Sequence, residues 1–130
     1  MSYYRTMNVN TLSIIIPVFN EAPTIHNILD KVRMVSLPEG IVKEVIVIND
    51  CSTDDTRGTV MNYINKFPAV GMRYLELEEN SGKGAALHAG IALATGELLI
   101  VQDADLEYDP SDYNKLMDPI LRDKADVVYG

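Results

Sequence analysis

An open, mainly parallel α/β sheet with helices on both faces is the fold class that this 130-residue sequence predicts. Three observations carry it. Short aliphatic runs alternate with segments of helical period. Those runs are nearly continuous in apolar residues, as strands covered on both faces require. The composition, 47% hydrophobic and 23% charged, suits one globular domain able to close a core, and it excludes disorder, collagen and coiled coil. Residues 1–10 read as an N-terminal tail, and 11–130 as one uninterrupted domain.

The first run is Leu12 to Phe19, and Pro17 is expected to mark its end. Ala22-Pro23 then opens a helix with proline in its first turn, with Ile25, Ile28, Leu29, Val32 and Val35 on one stripe and Pro38 and Gly40 stopping it. A second strand spans Val42 to Ile48. The polar loop from Asn49 to Asp55 feeds another helix, which Ser52 or Thr53 is expected to cap while Asp54 and Asp55 favour its positive start. Val60, Ile64 and Phe67 form its core face. Met72 to Leu77 is a weaker third strand, because Arg73 and Glu76 alternate with its apolar residues. After the loop from Glu78 to Gly84, an alanine-rich helix runs from Gly84 to Ala94 and ends at Thr95-Gly96, with glycine in the capping position. Leu98 to Val101 is the fourth strand. Asp109-Pro110 begins a last helix bearing Tyr113, Leu116, Met117, Ile120 and Leu121, and Asp126 to Tyr129 reads as a fifth strand cut short. Right-handed crossovers between such strands make a parallel sheet.

Eleven Lys+Arg against nineteen Asp+Glu leave a net charge of −8, which opposes nucleic acid and anionic membrane surfaces as partners. Cys51 is the sole cysteine, so no internal disulfide forms and a reducing, cytoplasmic setting follows most simply. No transmembrane segment or signal peptide is expected. His26 and His88 lack any ligand or nucleophile partner at useful spacing and read as surface or helix-packing histidines.

In open α/β sheets, ligands bind beyond the carboxyl ends of the strands. The polar residues fall there repeatedly: Asn20-Glu21 after the first strand, Asn49-Asp50 after the second, Asn80 to Gly84 after the third, Asp103 and Asp105 after the fourth. From Asp103 to Asp112 there are five acids and no Lys or Arg, a repulsive cluster that a hard divalent cation, Mg²⁺ or Mn²⁺, would relieve. Lys83 lies between two glycines before a helix, a place suited to a phosphate. A phosphoacceptor receiver domain would need paired acids after the first strand and a lone Asp after the third. A P-loop would need G-x-x-x-x-G-K-[ST], but Leu77 and Gly84 break that pattern. A dinucleotide fold would need G-x-G-x-x-G after the first strand, where no glycine stands. A nucleotide-diphosphate site using carboxylates and a metal remains.

Ser13 to Glu21, Val47 to Thr56, Asn80-Ser81-Gly82-Lys83-Gly84 and Asp103-Ala104-Asp105-Leu106 together resemble the successive motifs of family 2 glycosyltransferases with the Rossmann-like GT-A fold. Asp103-Ala104-Asp105-Leu106-Glu107 followed by Asp109-Pro110 is most similar to the dolichyl- or polyprenyl-phosphate mannosyl- and glucosyltransferase branch. The resemblance covers residues 12–130. It implies that Pro17, Phe19 and Glu21 line the nucleoside beside Ile48 and Ala104, that Asp50 accepts from the base, and that Lys83 lies near the nucleotide. It also implies that Asp103 holds the ribose and approaches the metal, with Asp105 and Glu107 coordinating it; Asp103 and Asp105 are thus the candidate catalytic pair.

Two positions depart from the family pattern. Cys51 stands where glycine is usual, and Glu107 where the lipid-phosphate branch often has glutamine. The implied reaction is metal-assisted, inverting transfer of a hexose from a UDP-glucose or GDP-mannose type donor to a polyprenyl or dolichyl phosphate or another acceptor. The sequence then reads as a truncated GT-A domain, the donor-binding part of an enzyme at the cytoplasmic face of a membrane. The alternatives are a donor-binding fragment without turnover and a receiver-type signalling domain.

Overall fold

The computed structural model describes residues 9–104 and 109–121. Four parallel strands form one sheet in the order β3-β2-β1-β4. They are β1 (Thr11–Val18), β2 (Val42–Asn49), β3 (Arg73–Glu76) and β4 (Leu98–Val101). The helices are α1 (Ile25–Met34), α2 (Thr56–Lys66), α3 (Lys83–Leu93) and α4 (Tyr113–Leu121), with short 3₁₀ turns at Pro68–Val70 and Pro110–Asp112. Asp105, Glu107 and the fifth strand expected at Asp126 to Tyr129 lie outside the described residues. No helix among the described residues is long and apolar enough to cross a membrane.

The period of two along β1 divides the core. Leu12, Ile14, Ile16 and Val18 join Ile25, Ile28, Leu29 and Val32 of α1, Val60 and Tyr63 of α2, and Tyr113 and Met117 of α4. Ile15, with Ile46 and Ile48 of β2, meets α3 at Ala86 on the other face. That second layer is thin because its helix sits close. A Cβ placed on Gly90 would lie 2.5 Å from Ile15 Cγ2, so glycine and alanine are what allow α3 to approach the sheet.

Three expectations need correction. Pro17 does not end the first strand, which continues through Val18 and pairs Pro17 with Ile48. The Ile15 carbonyl accepts from Gln102 N–H on the β4 side, so alternation turns the Pro17 nitrogen to that same side. The last β4 partner, Val101, lies opposite Ile15, leaving no ladder bond at Pro17 to lose. Pro23 lies in a turn before α1, where the N–H groups of Thr24 and Ile25 both donate to the Glu21 carbonyl. Gly96 is not a left-handed helix cap: α3 ends at extended Ala94, and Gly96 is required because a Cβ there would meet the Thr11 carbonyl at 2.7 Å and Ser13 Oγ at 2.6 Å.

Polar groups close the end of the sheet away from the strand carboxyl termini. Glu44 accepts from Ser13 Oγ at 2.7 Å, Thr95 N–H at 2.8 Å and Thr95 Oγ1 at 2.7 Å, and Arg73 lies 3.5 Å away. Burial pushes the Glu44 carboxyl up, but these donors and the Arg73 charge outweigh it and hold the group below its ordinary value. Lys43 crosses to the end of α1, where its ammonium donates to the carbonyls of Val32, Arg33 and Val35 at 3.0, 2.7 and 2.8 Å. This side chain supplies the cap that the local sequence lacks.

Lys43→Met is expected to lower stability by about 1–3 kcal/mol in urea denaturation, because the carbonyls of Val32, Arg33 and Val35 at the end of α1 lose a charged donor. Glu44 stabilises the fold when ionised, and its folded value is depressed, so this contribution is full above about pH 4.5 and lost as pH falls through the folded value. Glu44→Gln should cost about 1–3 kcal/mol at neutral pH and flatten the acid limb of a stability-versus-pH profile; an unchanged profile would rule out this role.

Candidate functional site

The four strands deliver their following loops to one rim, and side chains stitch these loops together. Asn20 Oδ1, after β1, accepts from the N–H groups of Thr53 and Asp54 at 2.8 and 3.2 Å, while its own N–H donates to Ser52 Oγ at 2.9 Å. The next two N–H groups of the same loop, of Glu21 and Ala22, donate to Thr56 Oγ1 at 2.9 Å and Asp54 Oδ2 at 3.1 Å. Asp54 also receives the Thr56 hydroxyl and N–H. Hydrogen bonds from Thr56 and Ala22 hold the Asp54 carboxyl below its ordinary value.

Ser52 and Thr53 therefore do not cap α2 as expected. Both bond to Asn20, and Asp54 accepts from the Thr56 N–H at 3.0 Å. Asn49 is also structural: its Oδ1 accepts from Ser52 N–H and Oγ at 3.0 and 2.6 Å, and its Nδ2 donates to Tyr74 Oη at 2.9 Å.

Asp50 joins the second loop to the third. It is 5% exposed, and its two carboxylate oxygens accept from the N–H groups of Ser81 and Gly82 at 2.8 and 2.9 Å. Gly82 has φ of +93°, which a side chain would strain, and Lys83 follows it as the first residue of α3. After β4, buried Gln102 accepts from Tyr113 Oη at 2.7 Å, fixing the chain just before Asp103.

The chain leaves β1 toward β2 and β3 and then returns to place β4 on the opposite side of β1. At this topological switch lies a cleft of about 220 Å³, lined by Pro17, Val18, Phe19, Glu21, Asp50, Lys83, Ala86, Asp103 and Ala104. The structure thus brings together Pro17, Phe19, Glu21, Asp50, Lys83, Asp103 and Ala104 of the expected residues. Ile48 is not among the lining residues, and its side chain is fully buried beneath the sheet with Ile15 and Ile46.

The wall combines apolar and charged surface. Phe19 is 43% exposed and lines the cleft, while Asp103 forms an ion pair with Lys83. Among the described lining residues Lys83 is the one cation, against Glu21, Asp50 and Asp103. Glu21 accepts from Thr24 Oγ1 at 2.8 Å. The arrangement can hold a ligand with an aromatic or apolar part beside Phe19 and an anionic part beside Lys83. No group of three metal-ligating side chains occurs among the described residues, which exclude Asp105 and Glu107.

Comparison with known proteins relates the chain to a family. The model of "Glycosyl transferase family 2" matches residues 13–130. A dodecaprenyl-phosphate galacturonate synthase of Rhizobium johnstonii is 34% identical over 121 residues, covering 92% of this chain and 35% of that protein. A dolichyl-phosphate beta-glucosyltransferase of Drosophila melanogaster is 37% identical over 111 residues, covering 81% and 34%. Among solved structures, the mannosyltransferase PcManGT of Pyrobaculum calidifontis, in complex with GDP-Man and Mn²⁺, superposes with a TM-score of 0.68 at 33% identity, covering 75% of this chain and 28% of that one. S. aureus TarS 1-349 in complex with UDP-GlcNAc gives 0.72 at 29% identity, covering 87% and 31%. The chain spans about a third of the length of these curated relatives.

Cys51, where the family resemblance leads one to expect glycine, adopts φ of +56°. Its left-handed backbone turns Asp50 and Ser52 toward different loops, and its thiol lies 3.6 Å from the Glu78 carbonyl. A non-glycine residue there costs about 1–2 kcal/mol, and glycine would lose about 0.5–1 kcal/mol of that gain to unfolded-chain entropy. Thermal melts of Cys51→Gly should therefore show stability equal to the parent or up to about 1 kcal/mol higher, and Cys51→Val a clear loss. The reverse order would remove the strain argument.

Proposed function

The chain belongs to glycosyl transferase family 2, and from that membership we propose that it is the donor-binding part of an enzyme that moves a hexose from a nucleotide diphosphate sugar to a polyprenyl or dolichyl phosphate. The observation that carries this reading is the switch-point cleft, to which the loops following all four strands contribute or are tied. Relatives named for dodecaprenyl- and dolichyl-phosphate substrates support the acceptor class, and neighbours holding GDP-Man or UDP-GlcNAc support the donor class.

In this reading Phe19 and Pro17 pack against the nucleoside, with Glu21 at its ribose or base edge. Each Asp50 oxygen already accepts one N–H and retains a further lone pair, so the carboxylate can also accept from a base N–H. Lys83 donates to the diphosphate from the start of α3. Asp103 supplies a hard oxygen ligand suited to Mg²⁺ or Mn²⁺, and Asp105 and Glu107 complete the protein's share of the shell. When bound, the ion neutralises negative charge that develops on the leaving diphosphate.

A lipid phosphate attacks as an anion, so this acceptor needs no protein base. Inversion at the anomeric carbon is the outcome that the family resemblance implies. A lipid acceptor places the reaction at a membrane surface, and we assign the cytoplasmic face because nucleotide sugars and a lone free cysteine both suit that compartment.

Titration calorimetry with UDP and GDP, with and without Mn²⁺, tests the site. Nucleotide binding is expected to require the metal and to weaken at least about tenfold in Asp105→Ala, equivalent to about 1.4 kcal/mol. Metal-independent binding, or none to either nucleotide, would overturn the assignment. Turnover of UDP-glucose or GDP-mannose with a polyprenyl phosphate then separates a transferase from a chain that only holds the donor.

A further inference from the structure

The acids of the cleft differ in what satisfies them. Asp50 is held by two backbone N–H groups and Glu21 by the Thr24 hydroxyl, both fixed neutral donors. Asp103 is held by the ammonium of Lys83, a full charge on a flexible stem that is 56% exposed. An ammonium and a divalent cation repel one another strongly at one carboxylate, whereas an ammonium and a diphosphate attract.

We propose that Lys83 couples metal binding to nucleotide binding. It neutralises Asp103, must leave before a metal ion engages that carboxylate, and is drawn away when a diphosphate offers it a new partner. This rests on the glycosyltransferase reading above. Lys83 is here a positioning residue, acting on the metal through Asp103 and not as a ligand.

The geometry favours such movement. Lys83 opens α3 directly after Gly82, and the Gly82 N–H is already bound by Asp50, so the ammonium can change partners without breaking the anchor of its loop. A Cβ at Gly82 or Gly84 would meet nothing within 4 Å, so the backbone on either side of Lys83 borders open space. Linkage makes the effect reciprocal: nucleoside diphosphate should tighten metal binding by the factor by which metal tightens nucleoside diphosphate.

Mn²⁺ affinity measured by paramagnetic resonance or calorimetry, alone and in the presence of UDP or GDP, reads this coupling directly. In Lys83→Met, Mn²⁺ alone should bind about five- to fiftyfold tighter than in the parent, while the enhancement by nucleotide shrinks by a similar factor. Lys83→Arg keeps the cation and should retain weak binding of Mn²⁺ alone, and thermal melts of both variants confirm that they fold. If the parent binds nucleotide with metal but Lys83→Met leaves Mn²⁺ affinity and coupling unchanged, the coupling role is wrong and the functional reading stands. If the parent binds no nucleoside diphosphate with any metal, both fall.

Discussion

A nearly buried carboxylate, Asp50, sits at the end of the central strand pair, and it is tolerable there because two backbone N–H groups converge on it. An unpaired charge at that depth would cost several kcal/mol. The pairing requires the chain at Ser81-Gly82 to turn both N–H groups inward, which the +93° φ of Gly82 makes possible, and it thereby sets where α3 begins. The position of Lys83, and so the charge of the cleft opposite Asp103, follows from this one anchor.

The remaining rim obeys the same logic. Asn20, Asp54 and Thr56 carry polar groups on the ligand-binding rim, yet they spend their hydrogen bonds holding the first loop against the second. Their work is to keep Phe19 and Glu21 at the cleft wall. Gln102 and Tyr113 do the equivalent for Asp103, through a buried bond that burial of the tyrosine favours keeping protonated. At the far end, Glu44, Ser13 and Gly96 lock β1, β2 and the approach to β4, so the strands arrive at the rim as a rigid set. Rigid strands with side-chain-stitched loops are the means by which a cleft is preorganised for a charged ligand.

Most of the fold was legible because its signals are local. Continuous runs such as Ser13 to Val18 and Val45 to Ile48 announce buried parallel strands, and the stripe through Ile25, Ile28, Leu29 and Val32 predicts the buried face of α1. The misreadings concern residues whose role is set by a distant neighbour. Gly96 follows a helix and reads as its cap, but it is small because Thr11 and Ser13 pass beside it. Ser52 and Thr53 precede a helix and read as caps, but Asn20 claims both. Tyr63 is more than core filler: it donates to Asp30 at 2.7 Å and accepts from Arg33 at 2.9 Å between α1 and α2, with burial and the Asp30 carboxylate pushing its hydroxyl up to about 12.

By itself the sequence determined the parallel α/β class, the order of its elements, and the placement of polar residues after every strand, because strand periodicity and helix stops act within a few residues of each other. It also determined the family, through four motifs in a set order. Only the tertiary structure decided which of those polar residues face the cleft and which hold loops: Asp50 and Asp54 are both carboxylates, and Asn20 and Asn49 both amides, and within each pair the role depends on what lies opposite. The sheet order β3-β2-β1-β4 made that choice by opening the crevice between β1 and β4, where the missing N–H of Pro17 goes unneeded and Lys83 meets Asp103.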